Sequence, residues 1–503
     1  MRRSASRGVG EGRGLMDFTP TEEQSAAQQL AARIFGDLAT HDRLAAAGTA
    51  SDGELWRALC AAGLPAAVEE IGLLGLALVL EEQGRTTAQV PLAVTCAYGV
   101  LAVGRHGTEE QRARLLPALR DGTAVATGAF PARGAVTATT GARPTSTDAL
   151  PTCTDALPAS TGAVTAPTGA ITATTDARSA TLDARPAATG VVTAPTGDRP
   201  ATTDVRPATT DAVTATTDAV TASPSGQASV DGGTGWLSGV VPVVPWLRDA
   251  THVLVPDAER ALWLVRVADA RVEPVEMTAP WAAGRLTLDG TRAERLGGPR
   301  AERLVGRRTE QLGGPQGDGA ADRPLTPYDD VLAGARIAFA ALQAGVCAGA
   351  LARTVAHTTT REQFGRPLST NQAVLLRTAD AYMDTEAIRV TTYEAAWRHD
   401  EGLPYDGQAL TAAWWASEAG RRVVHTGQHL HGGIGADLGH PVHRHFLWGR
   451  QLDAHLGCGA ELLEELGDLL TERVAEPVTE RVAEPVTKPV AEPVIEEEQH
   501  DDA

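Results

Sequence analysis

Two segments in the last third of this 503-residue chain carry side chains able to hold an anionic ligand. The first is Arg361-Glu362-Gln363-Phe364-Gly365-Arg366-Pro367-Leu368, followed by Asn371 and Gln372. Arg361 ends an Ala- and Gly-rich helical stretch that starts at Asp330, and the chain turns there through Phe364-Gly365 and Pro367. A guanidinium at such a turn can hold a diphosphate through forked, charge-assisted hydrogen bonds. Phe364 can anchor the turn or cover a base, and Ser369 with Gln372 has the S-x-x-Q spacing of a capping box. Spacing alone fits a capped helix hairpin with a surface arginine equally well. The second segment is His429-Leu430-His431-Gly432-Gly433-Ile434-Gly435, followed by Pro441, Arg444 and Phe446. A glycine pair at a helix end permits positive φ and close approach of backbone to a ligand, and a plain C-cap would use it too. Histidines crowd this region, and His425 and His429 stand four apart, as zinc ligands can. Thr426 occupies the place where an HExxH site needs glutamate, so no metal is expected.

The elements around these segments follow from patterning. Thr19, Pro20 and Glu22 read as N-cap, N1 and N3 of a first helix, and helical patterns continue to about Asp121. Ser51-Asp52-Gly53-Glu54 opens one helix, Ile71 to Leu80 reads as a buried helix, and Thr108 to Leu119 as a short amphipathic one. Short apolar runs at 236–241, 252–255 and 261–267, separated by Pro, Gly and Asp, are an all-β pattern. From Pro327 to Leu470 the chain reads as helix, and Leu376, Ala379, Met383, Ala387 and Val390 form a stripe expected to be bundle core. The fold class is thus α+β multidomain, mainly α. The expected parts are a 1–15 N-terminus without structure, a helical domain at 16–130, a low-complexity insertion at 131–229 and a β domain at 230–290. A repetitive linker at 291–326, a C-terminal four-helix bundle at 327–470 and an acidic tail at 471–503 complete the chain. The insertion repeats Thr-Thr-Asp and is too poor in large apolar residues to offset the entropy of ordering. Met16 is an alternative start.

Bulk properties exclude several functions. A net charge of −19 argues against a nucleic-acid partner, which needs clustered Lys and Arg. The five cysteines are scattered and form no CxxC, which fits a reducing cytoplasm and neither disulfide nor zinc frameworks. No apolar leader precedes Met16, and no run reads as a membrane span.

The full Arg361 string and the glycine segment, with a helices–strands–helices order, resemble the flavin-dependent acyl-CoA dehydrogenases over residues 16–130, 230–290 and, most fully, 327–465. The resemblance implies FAD, with Arg361, Gln363, Asn371 and Gln372 meeting the flavin dinucleotide of a neighbouring subunit. It places His429, Gly432 and Gly433 at the adenine or diphosphate, with His429 where the family commonly has Gln. It also implies an acyl-CoA substrate, a dimer or tetramer with itself or a homologous subunit, and an electron-accepting flavoprotein. Three departures stand out. The family's two base positions fall on Leu456 and Ala335, neither of which takes a proton. Asp329 and Asp330 lie near Ala335 but more than a helical turn out of register. After Val125–Phe130 the family's Thr-Glu-x-x-x-Gly-Ser flavin loop is missing. Phe446-Leu447-Trp448, Gln451-Leu452 and Leu456-Gly457 are similar to the base-less subunit of actinobacterial heteromeric members that act on sterol side chains. The expected function is α,β-desaturation of an acyl-CoA thioester, with this chain completing a partner's FAD site. The alternatives are a self-sufficient flavoenzyme with an atypical base and a non-catalytic scaffold.

Overall fold

The computed structural model describes residues 17–131, 136–139, 233–297 and 325–480, the last nine as backbone only. Five helical runs open the chain: α1 (Glu22–Leu38), α2 (His41–Ala47), α3 (Gly53–Ala61), α4 (Leu64–Thr86) and α5 (Leu92–Val94, Thr95–Leu101, Ala102–His106), whose centre is π-helical. α6 (Glu109–Arg120) follows where a helix was expected from sequence, and Thr108 and Gln111 form a capping box at its start. α1 starts two residues later than expected: Thr21 is its N-cap and pairs with Gln24 in a capping box. Thr19 instead donates its backbone N–H to Asp17.

The buried helix read at 71–80 begins earlier and is broken. Gly72 leaves helical geometry at φ 73°, and the freed N–H groups of Leu73 and Leu74 donate to the Asp400 carboxylate at 2.8 and 2.9 Å. A carboxylate from the far end of the chain thus caps the second half of α4. A side chain at Gly72 would strike that carboxylate.

Seven strands form the sheet: β1 (Ala126–Gly128), β2 (Thr137–Thr139), β3 (Thr234–Val244), β4 (His252–Pro256), β5 (Leu262–Arg266), β6 (Arg271–Pro274) and β7 (Gly284–Arg295). Their order is β1-β4-β5-β7-β3-β2, with β6 on β7; β1 runs parallel to β4 and the other pairs are antiparallel. Two sequence readings are corrected here. β2 lies inside the stretch read as insertion, because Thr137–Thr139 pair with Trp236–Ser238. β7 runs on into the stretch read as linker, because Ala293 pairs with Gly235 and Val265 and is buried. The rest of the insertion, the second Ala-Glu-Arg-Leu copy and residues 1–16 lie outside the described residues.

The C-terminal bundle consists of α7 (Pro327–Thr360), α8 (Gln372–Asp400), α9 (Asp406–His431), α10 (Pro441–Leu452) and α11 (Gly459–Glu480), with a two-strand ribbon, β8 (Glu362–Gln363) and β9 (Arg366–Pro367), after α7. α11 carries helical backbone to Glu480, past the start of the expected tail; residues 481–503 lie outside the described residues. α7 is the one described helix that is long and apolar enough to cross a membrane, contrary to the sequence reading, but 94% of its most apolar window is buried in the fold. It is the core helix.

Close approach between α4 and α7 explains that burial. A Cβ on Gly345 would lie 2.0 Å from the Glu81 carbonyl oxygen, and one on Gly84 would lie 2.1 Å from that of Leu342. Beside this contact the buried Glu81 carboxylate receives Arg389 of α8 at 2.6 Å, Tyr393 at 2.7 Å and Arg85 at 3.1 Å. At the other end of α7, Asp330 takes a hydrogen bond from His106 at 2.6 Å and another from the Tyr405 hydroxyl. Burial alone would raise the Asp330 carboxyl, but the His106 hydrogen bond and the Arg105 charge outweigh it and hold it at about 2.

The stripe expected in the bundle core is not there. Leu376, Met383 and Val390 are 58, 61 and 53% exposed. α8 instead buries Ala381, Thr385, Ile388, Thr392 and Ala395, and its buried threonines satisfy their hydroxyls on carbonyls four residues back. Ion pairs of Arg389 with Glu81 and of Asp384 with Arg422 hold that rotation.

Gly345→Ala and Gly334→Ala, about three turns apart on α7, are expected to have opposite signs. The first forces two backbones apart and should cost about 1–3 kcal/mol or more, whereas Gly334 faces open space and should gain up to about 1 kcal/mol of helix propensity. Urea unfolding checks both. Asp330 gives a pH test as well. Its folded value lies near 2 against an ordinary 3.8, so its contribution is complete above 3.8 and fades as pH falls toward 2. Asp330→Asn should remove that acid-dependent part of the unfolding curve.

Candidate functional site

The Arg361 and glycine segments meet at the end of the bundle where α7 and α9 stop. His357, one turn before Arg361, stacks its ring on His431, the residue before Gly432, with centroids 4.4 Å apart. After Arg361 the chain forms the β8–β9 ribbon, closed by Phe364 and Gly365 at φ 56° and 77°. Two positive φ values suit a tight hairpin turn, but the left-handed region is unfavourable for a bulky residue. Phe364 occupies it with its ring fully exposed. The Leu368 N–H then returns to the Arg361 carbonyl at 2.9 Å, which holds the turn against the helix end.

The expected Ser369–Gln372 capping box does not form. Ser369 lies in a short 3-10 turn, and Asn371 caps α8 by accepting the Ala373 N–H at 2.9 Å. The side chains of Arg361, Gln363, Gln372 and His429 are exposed. Gly432 adopts φ 64°, and a Cβ on Gly432 or Gly433 would meet open space. Arg444 stays within the fold, bonded to Gln89 at 2.6 Å and to Thr87 at 3.2 Å, and burial lowers it to about 10.

Charge distinguishes this end. Among the described residues of the bundle, Arg336, Arg389, Arg398, Arg421, Arg422 and Arg450 each pair with a carboxylate. Arg353, Arg361, Arg366 and Arg377 have no described ion pair, and all four lie on the last turns of α7, the ribbon and the start of α8. Sequence reading found only Arg361 among them, because pairing depends on the partner's position.

The base positions sit elsewhere, Ala335 on α7 and Leu456 between α10 and α11. Ala335 and Leu456 are buried. Arg336 joins them: its guanidinium reaches the Leu456 carbonyl at 3.5 Å and pairs with Glu465 at 2.6 Å. The space left here is about 20 Å³, lined by Arg336, Phe339, His455 and Leu456, which is room for little more than a water. The seam beside it is packed with aromatic rings. Trp246 stacks on Trp281 at 4.4 Å, and Trp281 meets Trp448 edge-on at 5.5 Å and His455 at 5.6 Å; Phe339 closes on His455 at 4.4 Å. The three indoles are at most 1% exposed. β1, where a flavin loop was expected to follow, is tied down by Thr127 donating to the Pro245 carbonyl at 2.6 Å. Sequence reading missed this cluster because its members come from sheet loops and bundle helices far apart in the chain.

The comparisons agree with this architecture. Residues 21–123 match the acyl-CoA dehydrogenase N-terminal domain, and residues 329–462 match the C-terminal domain. A complex described as a Tcur3481–Tcur3483 steroid ACAD variant is 33% identical at TM-score 0.64, with 90% of this chain and 99% of that one covered. This chain belongs to the acyl-CoA dehydrogenase family. The ChsE4–ChsE5 complex from Mycobacterium tuberculosis is 25% identical at TM-score 0.64, covering 91% of this chain and 99% of that one. The acyl-CoA dehydrogenase FadE27 of the same organism is 44% identical over 140 residues, 26% of this chain and 38% of that relative. The family's members are flavoprotein oxidoreductases of CH–CH groups, and its cofactor is FAD. A second cleft, of about 310 Å³, is lined by Val68, Leu73, Val100, Arg105, Asp330 and His399, and none of the sequence-predicted residues borders it.

The residues of this chain fit the two halves of FAD unequally. The exposed arginine end suits a dinucleotide's diphosphate, whereas the seam at Leu456 has no space for a three-ring heterocycle. Restoring a carboxylate alone should therefore not restore chemistry: Leu456→Glu, purified by itself, is expected to show no flavin absorbance and no bleaching by an acyl-CoA.

Proposed function

We propose that this chain is the base-less subunit of a heteromeric acyl-CoA dehydrogenase and completes a partner's FAD site. One observation carries the reading. Arg361 and Ala335 lie on the same helix with twenty-six residues between their numbers, which at 1.5 Å per residue is about 40 Å. No single flavin dinucleotide spans that distance. A ring near the base position could not bring its diphosphate to Arg361 of the same chain. Arg361, Gln363, Asn371, Gln372, His429, Gly432 and Gly433 therefore serve a cofactor whose ring sits in another subunit.

Two further features support a heteromer. The filled seam leaves this chain no ring site of its own, so reciprocal sharing between identical copies would leave every ring unseated. The exposed apolar side chains lie where a partner would cover them: Phe364 on the ribbon, Leu375, Leu376, Tyr382, Met383 and Val390 along α8, and Ile434 and Leu438 after the glycine pair. Such a patch beside unpaired arginines is an interface composition. The partner is a homologous chain that keeps the family glutamate and the flavin loop. In that partner the glutamate would take the α-proton and a bound FAD would supply the hydride acceptor for the β-hydrogen, to be reoxidised by a second flavoprotein. A steroid-derived acyl-CoA is the substrate class, in line with the steroid complex that this chain is similar to. A cytoplasmic location fits the free cysteines among the described residues.

The test is co-expression with a glutamate-bearing homologue encoded nearby. This chain alone should be colourless, and the complex yellow and bleached by acyl-CoA. Arg361→Ala should lower FAD occupancy of the complex by about tenfold to a hundredfold, the worth of a charged hydrogen bond, without dissociating the subunits on a sizing column. Flavin bleaching by this chain in the absence of any partner would overturn the proposal in favour of a self-sufficient enzyme.

A further inference from the structure

The end of α7 carries more cationic groups than the Arg361 string accounts for. Arg353, His357 and Arg361 recur at four-residue intervals, so they stack on one face of the helix. His357 lies on the ring of His431 at 4.4 Å and an interplanar angle of 21°, and His431 lies 5.2 Å from His440. The three imidazoles form a row between the end of α7 and the turn after the glycine pair. His431 is buried, and its Nδ1 donates to the Gly427 carbonyl at 2.7 Å, which fixes the middle ring. His357 and His440 are only half-buried and open toward solvent.

The charged groups around the row are mostly of one sign. Arg353 and Arg361 face it from α7, His431 from α9, Asp437 and His440 from the turn before α10, and His41 from α2. His445 of α10 lies deeper, within reach of the Arg353 charge. Burial, then the neighbouring His431 and the adjacent arginine, holds both His357 and His440 below the ordinary 6.5, and Asp437 opposes this only at His440. In the free chain the two outer imidazoles, held below their ordinary value, thus stand beside two guanidiniums that have no ion pair among the described residues. A diphosphate docked against those guanidiniums would replace repulsion by attraction and make each imidazole easier to protonate.

We infer that Arg353, His357 and His440, spaced by His431, form with Arg361 a wall that receives the diphosphate of the flavin dinucleotide and takes up protons as it docks. This rests on the shared-site reading above. The direction follows from linkage: a ligand that favours the protonated rings binds more tightly as pH falls, and proton uptake and affinity are reciprocal. Each proton taken up contributes up to about tenfold in affinity per pH unit.

The experiment is calorimetric titration of ADP into the full-length chain between about pH 5.5 and 8, the range of histidine titration, in two buffers of different ionisation enthalpy. The expected result is net proton uptake on binding, affinity that rises as pH falls, and displacement of ADP by FAD. In the double variant H357Q/H440Q the uptake should vanish and the affinity should lose its pH dependence. Should that variant unfold, H440Q alone, on the exposed side of the row, should halve the uptake, and the wild-type uptake itself needs no variant. ADP binding with no proton uptake overturns this inference and leaves the shared site standing. Displacement by coenzyme A but not by FAD also overturns it, since the diphosphate would then belong to the substrate. Absence of ADP binding at every pH overturns both readings.

Discussion

The backbone contact between α4 and α7 governs much else in this molecule. Gly84, Gly345 and Gly349 let two helices approach until carbonyl oxygens of one touch Cα atoms of the other. At that distance side chains cannot insert, so the helix pair has one register, and Glu81 binds α8 into it through Arg389 and Tyr393. α7 then acts as a fixed ruler about 50 Å long. Asp330 stands near its start, Ala335 and Arg336 a little further on, and Arg353, His357 and Arg361 near its end. Because the helix is rigid, the distance between the base position and the arginine end is set by the fold. In the proposed reading, that distance is what divides one catalytic site between two subunits.

Losing the base and filling the seam are physically coupled. A carboxylate at position 456 would be buried beside Arg336, which already holds Glu465. Without flavin and substrate against it, the group would lie desolvated next to a void, and both states are costly. Leucine removes the charge, and Trp246, Trp281, Trp448 and Phe339 remove the void. In the proposed base-less reading, the seam is tightly packed rather than in disrepair. At the other end of α7 the opposite holds: exposed Phe364 in a left-handed conformation, a glycine at φ 64°, and cations without carboxylates. The glycine caps α9, but the exposed ring and the cations have no described contact in the isolated chain that would explain them. Their persistence beside a well-packed core fits a surface shaped for a ligand and a partner.

How much of this was legible in the sequence depended on range. Elements set by local chemistry were mostly readable: the short helix at 108–119, the helix opened by Asp52, the three apolar strand runs, and the Arg361 and glycine strings, although the caps read at Thr19 and Ser369 fall at Thr21 and Asn371. Apart from those caps, errors came where a distant residue decided the outcome. The 71–80 helix is split at Gly72 because Asp400 supplies a cap from the far end of the chain. β2 and the end of β7 are strands because β3 and β5 pair with them, although their own composition reads as filler. The aromatic seam and the imidazole row unite rings from separate elements, so no spacing announces them.

The α8 stripe is the instructive error, because its periodicity was read correctly and its environment was not. Leu376, Met383 and Val390 do share one face. Periodicity reports that a face is apolar and says nothing of which chain covers it. In a monomer such a stripe belongs to the core; here the core already takes Ala381, Thr385 and Thr392, small or polar residues that the close-packed bundle accommodates, together with Ile388. The larger side chains are left outside, in line with the ribbon and with the unpaired arginines. An apolar face costs solubility and an unpaired cation gains nothing from the fold, so each is intelligible only if something outside the chain meets both. A homologous subunit carrying an anionic cofactor at its edge, as proposed above, would meet both: its helices would cover the stripe, and its diphosphate would face Arg353, Arg361, Arg366 and Arg377, which have no ion pair among the described residues.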